Sequence, residues 1–446
     1  MRIERLSIAQ IDGLGGPLPA AAHIRSLVPA PDSLEATVRE ILADVRTRGD
    51  AAVLAYTARF DTDGAAPDGL RVSQAELDDA LELLDLELVA GLQVAIANVA
   101  LVAQAGVGED VAVELSQGQT VLLREVPVQS AAVYVPGGRA PYPSTVVMGV
   151  VTARAAGVID VAVCTPPGRD GRIDPVILGA CRLCGVERVY RMGGAQAIAA
   201  LAHGTETVPR VDVIVGPGNL YVQEAKRSLS AIVGIDGFAG PSDLLVVLGA
   251  DANAREADLA ALDMLAQAEH GLGSLVVAIS PAAPVLDALA EAIERLVVEH
   301  PTVADVACAL VHAPDVRAAI ELANAIAPEH LQLIGAEPEA LARAVRCAGC
   351  VFVGVGAGTA FGDYVAGSNH ILPTGGSARF ASTLSPRHFR RRMSEVRLGP
   401  LGGETVRKLS ASGSPIARAE GFEAHAESMS ARTSSSMREG TIADDA

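Results

Sequence analysis

The chain has 446 residues, half of them hydrophobic, with 3% aromatic content, no Trp and a formal net charge of −18. That length exceeds what a single core fills, so two or three domains are expected. The acidic balance and scarcity of stacking rings exclude a nucleic-acid partner, because the one dense basic run, Arg387 to Arg392, is short enough to be a solvated turn.

In chain order, the opening MRIERLSIAQID is charged and lacks an apolar stretch, so no secretory leader is expected and the six cysteines read as free thiols in a reducing cytoplasm. A helical region follows at about 33–104. Within it, Leu88 to Gly108 is uncharged for 21 residues, long enough to cross a bilayer. It is Ala-rich, however, and places Gln93 and Gln104 about three turns apart on one face, which favours a soluble helix over a membrane partner. From about residue 119, VLLREVPV, SAAVYV, VIDVAVCT, ERVYR and VDVIV read as strands. Helical patterns separate the later ones, which indicates β-α-β units and a parallel sheet. After Gly240-Pro241 the alternation resumes with DLLVVLG, SLVVAIS, ACALVH, LQLIG and CVFVGV, divided by helices near 254–269, 282–299, 314–326 and 337–346. Residues 386–432 read as a strand or loop, a helix from Glu404 to Ala411, and a polar stretch around Glu420.

The fold expected is α/β, with two Rossmann-like doubly wound parallel-sheet domains, a small N-terminal segment and a C-terminal tail. The segments are 1–24, an α/β domain of 25–130 plus 241–385, a second α/β domain of 131–240, a C-terminal segment of 386–432 and a disordered tail of 433–446. The opening helices are assigned to the later sheet. The two C-x-x-C pairs, Cys181/Cys184 and Cys347/Cys350, lie within helix and strand patterns and not in a Cys/His-rich knuckle, so buried thiols are favoured over a zinc cluster.

Four polar clusters carry the chemistry: Gln267-x-x-His270, Glu329-His330, Asp363 followed by His370, and Glu420 followed by His425. They contain four of only nine histidines. Each sets an imidazole near an amide or carboxylate, the groups that bind divalent metal and move protons near neutral pH. Gln267 and His270 stand i, i+3 at the end of a helix stopped by Gly271. Pro328 disfavours helix at Ala327 and frees Glu329 and His330 from the helical ladder. Gly354, Gly356 and Gly358 do not make a dinucleotide fingerprint and read as a flexible turn delivering Asp363. Gly137-Gly138, Gly193-Gly194 and Gly216-Pro217-Gly218 each follow a strand at the carboxyl edge of the first sheet. There, nucleotide binding and a plain strand-to-helix connection stand level on spacing alone.

At these residues the chain resembles the histidinol dehydrogenase family. The matching segments are YVPGGRAPYPSTVVM (134–148), RMGGAQAIAALAHGTETVPRVDVIVGPGNLYVQEAKR (191–227), GIDGFAGPSDLLVV (234–247), AQAEHG (266–271), APEHLQL (327–333), GDYVAGSNHILPT (362–374) and AEGFEAHAES (419–428). The resemblance implies a cytoplasmic homodimer with one Zn2+ per subunit that uses NAD+ twice to take L-histidinol through an aldehyde to L-histidine. It implies zinc held by Gln267, His270, Asp363 and, across the dimer interface, His425. Ser242, His370 and Glu420 would bind substrate together with those ligands and the catalytic pair. Tyr134, Gln196 and Asn219 would contact NAD+, in the 131–240 domain. His330 would remove the hydroxyl proton and Glu329 would activate water. The sequence departs from the family pattern at Asp243, where Glu is usual, and in the basic RHFRRRMSEVRL. Rival readings are a relative oxidising another polar primary alcohol such as dihydroxypropanesulfonate, a zinc hydrolase using Glu329, and a non-catalytic two-lobed binding protein.

Overall fold

A computed structural model describes residues 1–29, 33–65, 67, 69–137, 140–238, 240 and 242–434. Gly138 of the first glycine pair, Pro241 and the expected disordered tail from residue 435 onward lie outside the described residues. The chain begins with β1 (Arg2–Leu6), α1 (Ile8–Gly13) and α2 (Pro17–Arg25), followed by α3 (Glu35–Arg48), α4 (Asp50–Phe60), α5 (Gln74–Glu82) and α6 (Leu86–Ala105). Strands β2 (Val111–Glu114) and β3 (Thr120–Pro127) precede β4 (Ser130–Tyr134), α7 (Pro143–Ala155), β5 (Asp160–Thr165), α8 (Pro175–Leu183), β6 (Arg188–Arg191), α9 (Gly194–His203), β7 (Val213–Val215), α10 (Leu220–Leu229) and β8 (Gly234–Ile235). Then come β9 (Asp243–Leu248), α11 (Ala254–Ala268), β10 (Leu275–Ser280), α12 (Ala283–Glu299), β11 (Ala307–His312), α13 (Val316–Ile326), β12 (His330–Ile334), α14 (Ala336–Ala340), β13 (Cys350–Val353) and α15 (Thr359–Tyr364). The chain closes with β14 (Arg390–Arg397), α16 (Glu404–Ala419) and α17 (Glu423–Ala431).

The described residues among 1–107 and 128–389 form one compact unit, and those among 108–127 and 390–434 form another. The first unit contains two parallel sheets, as the alternating pattern predicts. One has five strands in the order β6-β5-β4-β7-β8, and the other has six in the order β1-β11-β10-β9-β12-β13. Strand alternation decides what each face buries. In the five-stranded sheet, Ala131 and Val133 pack with Val146 and Ile177 on one side, while Ala132 and Tyr134 pack with Ile198 and Val222 on the other. In the six-stranded sheet, Leu244 and Val246 face Ala260 and Met264 of α11, while Leu245 and Val247 face Ala20 of α2 and Ile320 of α13.

The opening helices depart from expectation. Val38, Ile41 and Val45 of α3 and Val53 of α4 share a core with Ala132, Tyr134 and Ala199, and Leu77, Leu92 and Val99 of α5 and α6 share one with Val133 and Val146. They therefore cover the five-stranded sheet and not the six-stranded one. The physical reason is occupancy: α11 and α12 already cover one face of the six-stranded sheet, and α2 and α13 the other. Its edge is completed by β1, which pairs in parallel with β11, so the N-terminal segment is part of that sheet. Among the described residues, α6 is the helix long and apolar enough to cross a membrane by length and composition.

The second unit corrects another reading. VLLREVPV (β3), assigned from sequence with residues 25–130 to the later α/β domain, joins neither parallel sheet; it pairs antiparallel with β14 on one side and β2 on the other. The predicted helix at Glu404 runs on to Ala419 despite Pro415 within it, and α17 follows after a short turn.

Candidate active site

The cluster of polar side chains is assembled at the amino ends of β9, β12 and β13. His330 is the first residue of β12 and pairs in register with Leu244 of β9 and Cys350 of β13. It shares a strand face with Gln332 and Ile334, which turns it toward α11. On α11, Asp263, Gln267 and the following His270 fall at i, i+4 and i+7, so all three look back at that face. Gln332 Nε2 donates to Asp263 Oδ2 at 2.9 Å, which ties strand to helix beneath the site.

Glu329 is held from several directions. Ala327, the cap of α13, adopts a left-handed conformation (φ 51°, ψ 64°), unusual for a residue with a side chain, and this ends the helix before Pro328. Gly349 donates its N–H to the Pro328 carbonyl and Cys350 to that of Glu329, each at 2.9 Å. A Cβ on Gly349 would lie 2.6 Å from the Glu329 oxygen, so only glycine permits this approach. Asp243 and Glu329 exchange backbone-to-carboxylate bonds: Glu329 N–H donates to Asp243 Oδ1 at 2.6 Å, and Asp243 N–H to Glu329 Oε2 at 3.0 Å.

Arg25, at the end of α2, completes that brace. Its Nη1 lies 3.1 Å from Asp243 Oδ2, its Nε donates to the Ile326 carbonyl at 3.0 Å, and its Nη2 donates to the carbonyls of Ile326 and Ala327. Sequence reasoning missed Arg25, and no local signal marks it. Asp243 was noticed only as a departure from the family pattern.

Around Glu329 the remaining polar groups converge. Ser242 Oγ donates to Glu329 Oε2 at 2.5 Å and stands 3.2 Å from His270 Nδ1. Gln267 Nε2 is 2.5 Å from Ser242 Oγ and 3.3 Å from His270 Nδ1. His330 Nε2 lies 3.4 Å from Asp363 Oδ1, while its Nδ1 is 3.9 Å from Glu329 Oε2 and has no hydrogen-bond partner. Asp363 sits on the short helix α15 and not in the loop expected for it. Its carbonyl is 2.8 Å from His370 Nδ1, and His370 Nε2 is 3.2 Å from Thr145 Oγ1 on α7. Asn369 bonds to the Met148 carbonyl and to Thr152 Oγ1, so this segment is docked on α7 of the other sheet.

The electrostatics divide these groups. Burial pushes the Glu329 carboxyl up to about 7, against the pull of His330. For His330, burial works downward, but the Glu329 and Asp363 carboxylates overcome it and raise the imidazole to about 9. Burial lowers His270 and His370, which keeps both rings neutral. Burial works to raise Asp363, yet His330 beside it holds the carboxyl below its ordinary range. The site therefore offers a neutral imidazole, an ionised carboxylate and a carboxamide within one cluster, a donor set suited to a divalent transition metal. Among the described residues no three His, Cys, Asp or Glu side chains form a metal-holding group. This first unit places only two side chains of those types, His270 and Asp363, in the ligand set implied by the resemblance, beside the amide of Gln267.

A second feature lies at the carboxyl edge of the five-stranded sheet. Tyr134, Gly137, Gly194, Gln196 and Asn219 line a cavity of about 900 Å³, within the size range of small-molecule sites. All three residues implied for NAD+ are thus in one cavity, formed by the glycine turns read from sequence. Tyr134 is buried and its hydroxyl accepts from Gly194 N–H at 3.1 Å. Asn219 caps α10 through the N–H groups of Tyr221 and Val222. Gly216 (φ 114°) passes so close to the Tyr134 carbonyl that a Cβ would collide with it. That turn is fixed by Lys226, whose Nζ donates to the Gly216 carbonyl at 2.5 Å and pairs with Asp236 at 2.7 Å, while Asp236 accepts from Gly216 N–H. The polar cluster around Glu329 and His330 does not line this cavity. Glu420 and His425 belong to the second unit, both exposed, flanking the turn from α16 to α17 where the His425 ring stands 5.2 Å from that of Phe422.

Residues 28–433 match the family described as histidinol dehydrogenase. Histidinol dehydrogenase of Rhizobium meliloti is 42% identical over 418 residues, covering 92% of this chain and 95% of its own length. That of a Synechococcus strain is 42% identical over 407 residues, covering 90% and 92%. The crystal structure of histidinol dehydrogenase from Elizabethkingia anophelis aligns with a TM-score of 0.88 at 30% identity, over 97% of this chain and 98% of that one. With its fold, its clustered polar residues and both sequence and structure in agreement, the chain belongs to the histidinol dehydrogenase family of oxidoreductases.

Proposed function

We propose that this chain is a zinc- and NAD+-dependent enzyme that oxidises L-histidinol through an aldehyde to L-histidine, the last step of histidine biosynthesis, as a cytoplasmic homodimer. The observation that carries the reading is the convergence of Ser242, Gln267, His270, Glu329, His330, Asp363 and His370 in one cluster, beside a separate cavity lined by Tyr134, Gln196 and Asn219.

Gln267, His270 and Asp363, with His425 from a second copy of the chain, would hold the zinc. When bound, the cation supplies Lewis acidity toward the substrate hydroxyl and compensates the Asp363 charge. The residues fit that role, since His270 is kept neutral and Asp363 ionised. NAD+, when bound, supplies the hydride acceptor for both oxidations, and Gln196 Nε2, buried without a hydrogen-bond partner, leaves a donor open to it.

His330 would serve as the base for the hydroxyl proton, with Asp363, one of the two carboxylates that raise it, engaged in holding the zinc. Glu329, raised toward neutrality, takes a proton from the water that adds to the aldehyde, giving the hydrate that the second oxidation consumes. Ser242 orients Glu329 through its 2.5 Å bond. His370, neutral and anchored by the Asp363 carbonyl and Thr145, would bind substrate with Ser242, Glu420 and the metal-binding residues.

The test is formation of NADH with histidinol. Two NADH per histidinol are expected, with loss on chelation and recovery on adding zinc. Turnover of dihydroxypropanesulfonate in place of histidinol would move the substrate within the family, and no reduction with any alcohol would defeat the dehydrogenase reading.

A further inference from the structure

We propose that Thr145 is a positioning residue for the metal-binding carboxylate: its hydroxyl holds the His370 ring, and that ring holds the backbone of Asp363. The inference rests on the zinc reading above and concerns a residue outside the implied ligand set. Thr145 stands in the first turn of α7, a helix in which every residue from Ser144 to Ala153 is buried. A hydroxyl in such surroundings is costly unless it is bonded. That of Thr145, whose residue is 1% exposed, meets His370 Nε2 at 3.2 Å. Thr152, two turns further on and so on the same helical face, accepts from Asn369 Nδ2 at 3.1 Å. Two threonines of one helix thus grip two successive residues of the segment that follows Asp363.

The other end of the ring reaches the helix that carries Asp363. Helix α15 is six residues long, and the last carbonyls of a helix have no partner within it. Two of those at its end are met by side chains. Asn98 Nδ2 of α6 donates to the Val365 carbonyl at 2.8 Å, and His370 Nδ1 donates to that of Asp363 at 2.8 Å. A carbonyl only accepts, so Nδ1 carries a proton, whereas a hydroxyl both donates and accepts and answers Nε2 in either state of the ring. On its other side α15 lies against Phe352, where a Cβ on Gly362 would stand 2.5 Å from the ring. So anchored, the Asp363 carboxylate reaches to 3.4 Å from His330 Nε2. Without the Thr145 hydroxyl the His370 ring is free to turn, its hold on the Asp363 carbonyl loosens, and the carboxylate is less firmly placed to share a cation with Gln267 and His270. Groups that orient a metal ligand without touching the metal are worth about tenfold to a hundredfold in affinity.

Zinc affinity, read by competition with a chromophoric chelator, tests this without relying on turnover. Thr145→Val keeps the side-chain shape and removes the hydroxyl, Thr145→Ser keeps the hydroxyl, and Thr145→Ala serves if the valine variant fails to fold. Thr145→Val is expected to bind zinc about tenfold to a hundredfold more weakly than wild type, and Thr145→Ser about as tightly as wild type. NAD+ affinity should stay unchanged in both, since Thr145 does not line the cofactor cavity. In a His370→Ala background Thr145→Val should cost nothing further, because the ring through which it acts is gone. Four results overturn the assignment while the zinc reading stands: unchanged zinc affinity in Thr145→Val, an equal loss in Thr145→Ser, a matching loss of NAD+ affinity, or losses that add in the double variant. Wild type binding no zinc overturns both.

Discussion

Replacing Arg25 by methionine isolates the brace behind Glu329. Methionine keeps most of the apolar stem and removes the guanidinium that meets Asp243 and the carbonyls of Ile326 and Ala327. Asp243 is 1% exposed, so the variant strands a buried carboxylate without its counter-charge. Breaking a buried ion pair from one side costs about 3–5 kcal/mol. The Arg25 side chain is 24% exposed, so water can reach part of the vacated space, and the lower end, about 3 kcal/mol, is expected.

The effect has a pH signature. Burial already raises the Asp243 carboxyl, and Arg25 opposes that rise; without Arg25 it climbs further. An acid with a raised folded pKa loses stability as pH rises from its unfolded value up to the raised one, because ionisation is harder in the folded state than in the unfolded one. The deficit of Arg25→Met should therefore be larger near about pH 8 than near about pH 5. Urea unfolding of wild type, Arg25→Met and Arg25→Met/Asp243→Asn measures it, and the double variant should recover most of the loss near pH 8. A wild-type midpoint for Arg25→Met, or a deficit that ignores both pH and the second substitution, would refute the argument. The same loosening should lower kcat while leaving NAD+ affinity unchanged, since Arg25 is remote from the cavity lining.

Lys226→Met strands Asp236, whose side chain is 9% exposed, so stability should fall by about 3 kcal/mol and NAD+ affinity with it; an unchanged dissociation constant would separate this pair from the cavity. Gly216→Ala forces a positive φ on alanine and a collision with the Tyr134 carbonyl, at a cost of at least about 2 kcal/mol. Soluble protein with wild-type NAD+ binding would contradict that geometry. Elemental analysis of the purified protein is expected to give one zinc per subunit and none for Asp363→Ala, and retention of a full equivalent in the variant would remove Asp363 from the metal site.

Both parallel sheets were legible in the sequence because apolar runs of strand length alternate with helical patterns, and the residues of β4 and β9 bury alternate faces as that pattern requires. Local chemistry was legible in part: Pro328 stops α13 and the glycine turns form the carboxyl edge of the five-stranded sheet, whereas α11 ends at Ala268, before the His270 and Gly271 expected to close it. Periodicity, however, states which side of an element is apolar and not which surface will cover it, since hydrophobic attraction has no direction. Hence the helices of 35–105 were assigned to the wrong sheet, and β3 was read with its sequence neighbours while its partner β14 lies far along the chain.

Only the tertiary structure decided that three of the four polar clusters meet at the amino ends of the six-stranded sheet, while the candidate cofactor cavity opens at the carboxyl ends of the five-stranded one. Arg25 shows why: it stands 218 residues before Asp243, and nothing in its own neighbourhood distinguishes it from any arginine ending a helix. Its importance arises from the three carbonyl and carboxylate oxygens that folding gathers around it, a property of the place it occupies and not of the sequence that surrounds it.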